Sequence, residues 1–267
     1  LEGFSILHPV IVADSRVAGQ APSSIWCILE SDDSLQWCSD KEAADGSGGR
    51  ITHAECSVAS MRPSRLPDWE YLELQYKAAC AKCTRSIGAA SLYSRFAESG
   101  LPYGSTFRLI ETCLVSEGCD FVLSQLSVGA EVMHESYLLS PALLDAVLQS
   151  TAGAMMSHTP TSGHPSTSVP QVPYAVDDVW VRPGLIASLR EANSCPVVVE
   201  VRSQAADMSV FNVSLLNAAG RVVLHLNGLY TRSISSSDER SAGVVAPWQA
   251  LSCEWRAVDA AVSSLPS

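Results

Sequence analysis

The clearest hydrophobic pattern in the chain is an apolar helix that runs from Ser140 to Gln149. Ser140 is a good N-cap, and Pro141 suits the first helical position because proline lacks the N–H that would have no partner there. The helical period places three apolar residues on a stripe that a sheet could bury: Leu144, Val147 and Leu148. The pattern therefore predicts a helix that packs against a sheet.

Two polar side chains share one face of this helix. Asp145 and Gln149 are neighbours one helical turn apart. An amide in this position can orient a carboxyl group by a hydrogen bond. A solvated Asp145 beside an unrelated Gln149 accounts for the local pattern equally well, so the rest of the chain has to decide between these interpretations.

Apolar or alternating runs predict strands in the N-terminal part of the chain. The first three runs are Ile25 to Leu29, Leu35 to Cys38 and Ile51 to Ala59. A Gly-Ser-Gly-Gly turn at 46–49 separates the last two. His53 lies in the third run, where a lone histidine is more often a surface or hydrogen-bonded residue than a catalyst.

Two further helices are predicted between these strands and the apolar helix. They run from Asp68 to Lys82 and from Ala89 to Glu98. Gly100 follows the second helix and is expected to cap it, because glycine adopts the left-handed conformation that ends many helices.

Most of the remaining chain reads as antiparallel strands. A hairpin is predicted from Arg108 to Val115 and from Cys119 to Val128, with its turn at Glu117-Gly118. After a loop at 158–169, the strand candidates are Tyr174 to Val181, Val197 to Arg202, Val210 to Leu216 and Val222 to Tyr230. The last two pair across Asn217 to Gly220. Periodicity alone thus predicts an α+β domain.

Composition excludes several classes of protein. The chain has 267 residues, of which 47% are hydrophobic, and its 17 basic and 28 acidic residues give a net charge of −11. This balance predicts no nucleic-acid or anionic-membrane surface. The sequence has no apolar run of about 18 residues that would span a bilayer and no basic-then-apolar leader, so the expected location is cytoplasmic.

Cysteine usage predicts no metal site. The nine cysteines are scattered, which is typical of reduced, mostly buried thiols. Cys80-Ala-Lys-Cys83 has no second Cys or His pair at ligand spacing. Asn212-Val-Ser214 fits a glycosylation sequon, but it falls in a predicted strand and we interpret it as chance.

Several motifs together resemble the dehydratase domain of modular polyketide synthases, which has a double-hotdog fold. The apolar helix, SPALLDAVLQ, is similar to the HPALLDAALQ helix of that family, with Asp145 and Gln149 on its DxxxQ positions. The other similar segments are Leu92 to Phe107, which ends like YGPxF, Val172-Pro-Tyr174 for LPF, Asn217 to Arg232 for DxxGxxV and GLxxR, and the closing Cys-Glu-Trp-Arg. Their order and spacing match from about residue 90 to 256.

The resemblance implies a division of the chain. Residues 1–88 would hold a partial N-terminal hotdog and a connecting helix, and 89–235 a C-terminal hotdog with a central helix over 141–156. Residues 236–267 would be a linker toward a following domain. The first hotdog is expected to be incomplete, because residues 1–60 match only the strands that follow its central helix.

The resemblance also implies a mechanism and a set of site residues. In the family, a His within HxxxGxxxxP takes the α-proton of a β-hydroxyacyl thioester, and the Asp of the central helix protonates the departing hydroxyl. Carried over to this chain, the catalytic residues are Asp145, Gln149 and Tyr103. The expected substrate-binding residues are Gly104, Phe107 and Leu144. Acid–base elimination needs no cofactor, and no metal is expected.

The family's histidine motif is absent from this sequence. His8 is followed directly by Pro9, and none of the other five histidines has the glycine and proline of HxxxGxxxxP. The chain either omits the first part of the N-terminal hotdog or has lost it. Two further departures, Ser140 for the family's His and Ser105 for the Pro of YGPxF, favour a non-catalytic domain.

Three functions are therefore hypotheses, and the third is the least favoured. The first is a dehydratase, or a related isomerase, that acts on a chain carried on the phosphopantetheine of an acyl carrier protein. The second is an inactive pseudo-dehydratase that serves as a structural or carrier-docking module. A free-standing hotdog thioesterase or hydratase is the third. Expected partners are the carrier protein, adjacent synthase domains and a second copy of the chain in a homodimer.

Overall fold

The computed structural model describes residues 2–6, 25–29, 34–41, 49–57, 66–129, 132, 137–157, 171–205 and 207–233. Within them, eleven strands form one sheet. The strands are β1 (Glu2–Ile6), β2 (Ile25–Leu29), β3 (Ser34–Lys41), β4 (Gly49–Ser57), β5 (Cys83–Gly88), β6 (Ile110–Ser116), β7 (Phe121–Ser127), β8 (Gln171–Val181), β9 (Ser194–Gln204), β10 (Met208–Leu216) and β11 (Val222–Ser233). The helices are α1 (Trp69–Lys82), α2 (Ala89–Glu98), α3 (Pro141–Gln149), α4 (Ala152–Ser157) and α5 (Ile186–Arg190), and short 3-10 helices lie at Ser105–Phe107 and Pro183–Leu185. The predicted α+β class is confirmed.

All neighbouring strands are antiparallel, in the order β2-β3-β4-β1-β8-β11-β10-β9-β7-β6-β5. β1 joins the two parts of the sheet, since Glu2 lies opposite Ser57 of β4 on one side and Asp178 of β8 on the other. The sequence did not indicate β1 or the edge strand β5. In β5 three consecutive polar residues at 84–86 are exposed, so the apolar alternation of a half-buried strand is missing.

The two faces of the sheet are covered by different helices. Successive residues of a strand point to opposite faces, and in β7 Phe121 packs with Ala79 of α1 while Val122 joins the main core with Leu143 of α3. Among the described residues up to Ser57, all lie in strands. α3 and α4 therefore lie on one face of the C-terminal part of the sheet, and α1 lies on the other.

α3 begins as predicted, but a different stripe is buried. Ser140 is the N-cap residue and its carbonyl accepts the Leu144 N–H at 2.9 Å, although its side chain makes no capping hydrogen bond. Leu143 and Val147 are fully buried one turn apart. The prediction that Leu144 lies on the buried stripe is wrong, because it is rotated about 100° from Leu143 and is 37% exposed.

The predicted continuous central helix over 141–156 is also wrong. α3 ends at Gln149, and α4 begins at Ala152. The side chains of Ser150 and Thr151 donate to backbone carbonyls, at 3.0 Å to Ala146 O and 2.7 Å to Leu148 O, which offers this segment an alternative to a regular helix.

α2 has the predicted bounds and ends in a Schellman motif. The Leu101 N–H donates to Phe96 O at 2.8 Å and the Gly100 N–H to Ala97 O at 3.0 Å. Gly100 has φ +84°, which confirms it as the helix-ending residue. The motif turns the chain sharply toward Tyr103.

α1 is fastened to the sheet by a buried apolar side and an ionic cluster. Asp68 caps the helix by accepting the Tyr71 N–H at 3.0 Å. Glu73 Oε1 accepts from Arg182 Nη1 at 2.9 Å and from Arg221 Nε at 2.7 Å. The Arg182 guanidinium also lies 5.0 Å from the ring centre of Trp69. One carboxylate thus ties α1 to the end of β8 and to the start of β11.

The other predicted strands and hairpins are confirmed with small shifts of their ends. In the β6–β7 turn the left-handed residue is Cys119, with φ +56°, rather than Gly118. His53 is buried and its Nε2 lies 2.7 Å from Ser39 Oγ, which confirms a hydrogen-bonded residue. Gly46 to Gly48, the loop at 158–169 and the tail after Ser233 lie outside the described residues.

Candidate active site

Asp145, Gln149 and Tyr103 line one cavity of about 200 Å³. Asp145 and Gln149 come from α3, and Tyr103 from the segment that follows the Schellman turn. Much of the wall is apolar and includes Phe96, Leu101, Leu148, Met155, Met156 and Pro173. All three residues that the resemblance predicts as catalytic therefore meet at one cavity.

The Gln149 side chain is held by hydrogen bonds on both its nitrogen and its oxygen. Its Nε2 donates to Asp145 Oδ2 at 2.6 Å and to the Phe107 carbonyl at 3.0 Å. Its Oε1 accepts from the Tyr93 hydroxyl at 3.2 Å. Because both amide N–H groups and the amide oxygen have partners, this buried glutamine has a defined orientation.

Tyr93 connects this amide to the sheet. It lies on α2 with 8% of its surface exposed, and its hydroxyl accepts the Ile110 N–H at 3.0 Å. No motif in the sequence indicated this role of Tyr93. A tyrosine on the buried side of a helix needs a hydrogen-bond partner for its hydroxyl. That requirement could have indicated a polar contact of Tyr93 in the core.

The environment of Asp145 favours the protonated acid. Burial raises the pKa of Asp145, and the hydrogen bond from Gln149 opposes that effect only in part. Its partner is a neutral amide rather than a guanidinium or ammonium group, so no charge compensates for the lost water. A carboxyl group in this position can hold a proton and deliver it into the cavity.

Tyr103 lies beside Asp145 as a neutral phenol. Burial first, and then the charges of Asp145 and Tyr93, raise the pKa of Tyr103 to about 12. Its ring meets those of Phe96 and Tyr93 edge-on, at 5.0 and 6.4 Å between centres. The rings fix the phenol at the cavity wall, where its hydroxyl can donate a hydrogen bond.

The three expected substrate-binding residues are placed less directly. Phe107 gives its backbone carbonyl to Gln149, while its side chain packs on the core. Gly104 is exposed and begins the 3-10 helix, and Leu144 is exposed on α3. Among the described residues that line the cavity, none of these three occurs.

Several polar residues of the wall carried no functional prediction: Arg95, Ser99, Gln171 and Gln204. Arg95 is exposed on α2, one turn before the end of that helix. Val172 and Pro173 of the LPF-like element also line the cavity, so the resemblance did indicate this strand. Gln204 is the last residue of β9. The polar residues around it in the sequence did not indicate that it lines a cavity.

No group of three or more potential metal ligands occurs among the described residues. Of the Cys80-x-x-Cys83 pair, Cys80 is exposed while Cys83 is buried and donates its Sγ–H to Phe121 O at 3.6 Å. Burial raises the pKa of Cys83 to about 11. The described part of the chain also contains no helix long and apolar enough to span a membrane.

The family model of the polyketide synthase dehydratase N-terminal domain matches residues 74–241, which is more than half of the chain. The chain belongs to the polyketide synthase dehydratase family. The matched range includes α2, α3 and the whole cavity wall, so the site described above lies within the family domain.

Relatives and solved structures agree with this membership. The highly reducing polyketide synthase otaA of Aspergillus carbonarius is 22% identical over 90% of this chain. A trans-AT polyketide synthase dehydratase domain from Brevibacillus brevis superposes with a TM-score of 0.63 at 21% identity, covering 88% of this chain and 75% of that one. An inactive His-to-Phe variant of the CurJ dehydratase gives a TM-score of 0.62 at 17% identity, covering 89% of this chain and 76% of that one.

These likenesses confirm the predicted double-hotdog fold class. The chain spans only 9% of the length of the otaA synthase. The incompleteness of the first hotdog and the division at residue 88 remain predictions.

Proposed function

We propose that this dehydratase-family domain eliminates water from a β-hydroxyacyl thioester carried by an acyl carrier protein, with Asp145 as the general acid. The observation that supports this most is the raised pKa of Asp145, caused by burial, in a cavity shared with Gln149 and Tyr103. A group that must protonate a departing hydroxyl near neutral pH needs a raised pKa.

The elimination can be written with these residues in defined roles. Asp145 gives its proton to the β-hydroxyl, and the C–O bond breaks to release water. The α-proton goes to a base, and the electron pair of its C–H bond forms the double bond of the enoyl thioester. Gln149 holds the carboxyl group in place, and the Tyr103 hydroxyl is available to a substrate oxygen.

A second candidate is an inactive domain that serves as a structural or carrier-docking module. The observation that favours it is the absence of a histidine base from the cavity wall among the residues that the structure describes. The described histidines are His53 and His225, and neither lines the cavity. His225 is buried against Ser214 Oγ at 2.9 Å, and burial lowers its pKa to about 4. The CurJ variant that lacks a histidine is described as inactive.

Turnover in two forms of the protein distinguishes these functions. A 3-hydroxyacyl-pantetheine thioester is offered to this chain and to an N-terminally extended form that carries an HxxxGxxxxP segment, and the 2-enoyl product is quantified by mass spectrometry. We expect product from the extended form only. Asp145→Asn should reduce its rate on the order of 10²- to 10⁴-fold.

The matched control is Asp177→Asn, which removes an exposed carboxylate of β8 that does not line the cavity. It should leave the rate unchanged. If the extended form makes no product, the inactive module is the correct function. If product forms but Asp145→Asn has no effect, Asp145 is not the acid.

The proposed partners follow from the same role. The carrier protein would deliver its phosphopantetheine arm to the cavity, with adjacent synthase domains and a second copy of the chain in the assembly. Sedimentation of the extended form tests the homodimer directly, and a monomer at micromolar concentration would contradict it.

A further inference from the structure

The hydroxyl of Tyr93 has its hydrogen-bond roles fixed by its two partners. It accepts the Ile110 N–H at 3.0 Å. A backbone N–H can only donate, so the single proton of the hydroxyl points elsewhere. The acceptor within reach is Gln149 Oε1 at 3.2 Å. Tyr93 therefore donates to the amide oxygen of Gln149.

This donation sets the direction of the Gln149 amide. With Oε1 toward Tyr93, Nε2 faces the Phe107 carbonyl at 3.0 Å and Asp145 Oδ2 at 2.6 Å. The opposite orientation would bring the amide oxygen against the Phe107 carbonyl oxygen and turn N–H groups toward the Ile110-bound hydroxyl. Tyr93 and Phe107 thus favour the same orientation from two sides.

The orientation distinguishes the two oxygens of Asp145. Oδ2 receives an N–H from Gln149 and is therefore held as an acceptor. A proton on the carboxyl group is then favoured on Oδ1, the oxygen without that donor. Which oxygen carries the proton matters, because a general acid must present it toward the reacting hydroxyl.

We propose that Tyr93 is a positioning residue for Asp145 that acts through Gln149, by fixing the direction of the amide and so the oxygen that carries the transferable proton. This inference rests on the proposed role of Asp145 as the general acid. Tyr93 itself does not line the cavity.

Other polar and charged groups also face this part of the site. Tyr103 and Arg95 line the same cavity as Asp145, and the Arg108 guanidinium lies 5.6 Å from the ring centre of Tyr93. A change in the titration of Asp145 after substitution of Tyr93 is therefore not sufficient by itself. The test has to show that the effect passes through Gln149.

A double-mutant cycle read by carbon-13 NMR of the Asp145 carboxyl group provides that test. The proteins are the chain as it stands, Tyr93→Phe, Gln149→Leu and the double variant. Loss of the Tyr93 donor weakens the hold of Gln149 on the carboxylate, so Tyr93→Phe should raise the pKa of Asp145. Gln149→Leu should raise it further, and adding Tyr93→Phe to that variant should change nothing more.

The matched control is Tyr76→Phe, which removes a partly buried phenol on α1, away from the cavity. It should leave the titration of Asp145 unchanged. Replacement of Tyr93 by 3-fluorotyrosine keeps the side chain in place if Tyr93→Phe does not fold. A stronger donor should hold the amide more firmly and lower the pKa of Asp145.

Two results would overturn the inference. One is an unchanged Asp145 titration in Tyr93→Phe and with 3-fluorotyrosine. The other is an equal effect of Tyr93→Phe with and without Gln149. Because the titration needs no substrate, it is independent of turnover. Absence of dehydration would therefore contradict the proposed function alone, and an uncoupled titration in an active protein would contradict this inference alone.

Discussion

Two carboxylates on helices at opposite faces of the same sheet meet contrasting environments. Glu73 of α1 accepts hydrogen bonds from Arg182 and Arg221, while Asp145 of α3 accepts one from the amide of Gln149. Burial raises the pKa of Glu73, but the hydrogen bonds from Arg221 and Arg182 lower it more, so that it lies below its usual range. Burial also raises the pKa of Asp145, and the hydrogen bond from Gln149 lowers it less, so that it lies above its usual range.

The difference shows how one chemical group serves as a structural ion pair on one face and has the properties of a candidate acid on the other. A carboxylate with two guanidinium partners stays ionised and fastens a helix. A carboxyl group with an amide partner is oriented, yet it keeps a tendency to hold its proton. Both the partner and the depth of burial separate the ion pair from the candidate acid.

The largest change in stability is expected when the Glu73 cluster is broken. Glu73→Gln removes the charge that two arginines share, and it should reduce the free energy of unfolding by about 2 kcal/mol. Urea denaturation measures the effect. Glu70→Gln is the matched control, because Glu70 is exposed in the first turn of the same helix. An equal loss in both variants would show that the cluster has no special role.

The two carboxylates should give opposite pH dependence of stability. The pKa of Glu73 is lowered from 4.5, so its ionised carboxylate stabilises the fold above that pH. This stabilisation is lost as the pH falls through the folded-state pKa. The pKa of Asp145 is raised from 3.8, so this residue does not destabilise the fold below that pH. As the pH rises above 3.8 the destabilisation grows, and it is complete above the folded-state pKa.

Matched isosteric variants measure this contrast by urea denaturation between pH 3 and 7. Relative to the unsubstituted chain, Glu73→Gln should be less stable at pH 7, with a difference that shrinks in acid. Asp145→Asn should be more stable at pH 7, and this gain should also disappear in acid. A loss of stability in Asp145→Asn at pH 7 would contradict the raised pKa.

The smallest effect is expected at the exposed end of α1. Lys82 Nζ lies 3.3 Å from Asp120 Oδ2, but the two side chains are 53% and 50% exposed. Lys82→Ala should therefore change the free energy of unfolding by no more than roughly 0.5 kcal/mol. Lys77→Ala serves as the control for loss of an exposed lysine from the same helix. A loss comparable with that of Glu73→Gln would contradict the distinction between partly buried and exposed ion pairs.

Local signals were sufficient for most elements of the fold. Asp68 and Pro141 marked the starts of their helices, and the turn at Asn217 to Gly220 marked its hairpin, because caps and turns depend on neighbouring residues. The burial of Leu143 rather than Leu144 depends on how α3 is rotated against strands distant in sequence. A short helix with apolar residues on several sides does not specify that rotation.

The candidate site was predictable only where a motif resembled a known family. Asp145, Gln149 and Tyr103 line one cavity, and their catalytic roles stay predictions. Tyr93 was missed because its partners, Ile110 and Gln149, are far from it in sequence and no motif links it to them. Hydrogen bonds between distant elements require the folded arrangement.

The position of β1 has a consequence for how the chain folds during synthesis. β1 is made long before β8, which is one of its neighbours and places Asp178 opposite Glu2. Until the ribosome has released β8, that edge of β1 has no native partner and is open to pairing with other nascent chains. β4 follows much earlier and can cover the other edge. Closure of the sheet at the β1–β8 seam should therefore be a late event, and it joins an early strand to a part of the sheet completed long afterwards.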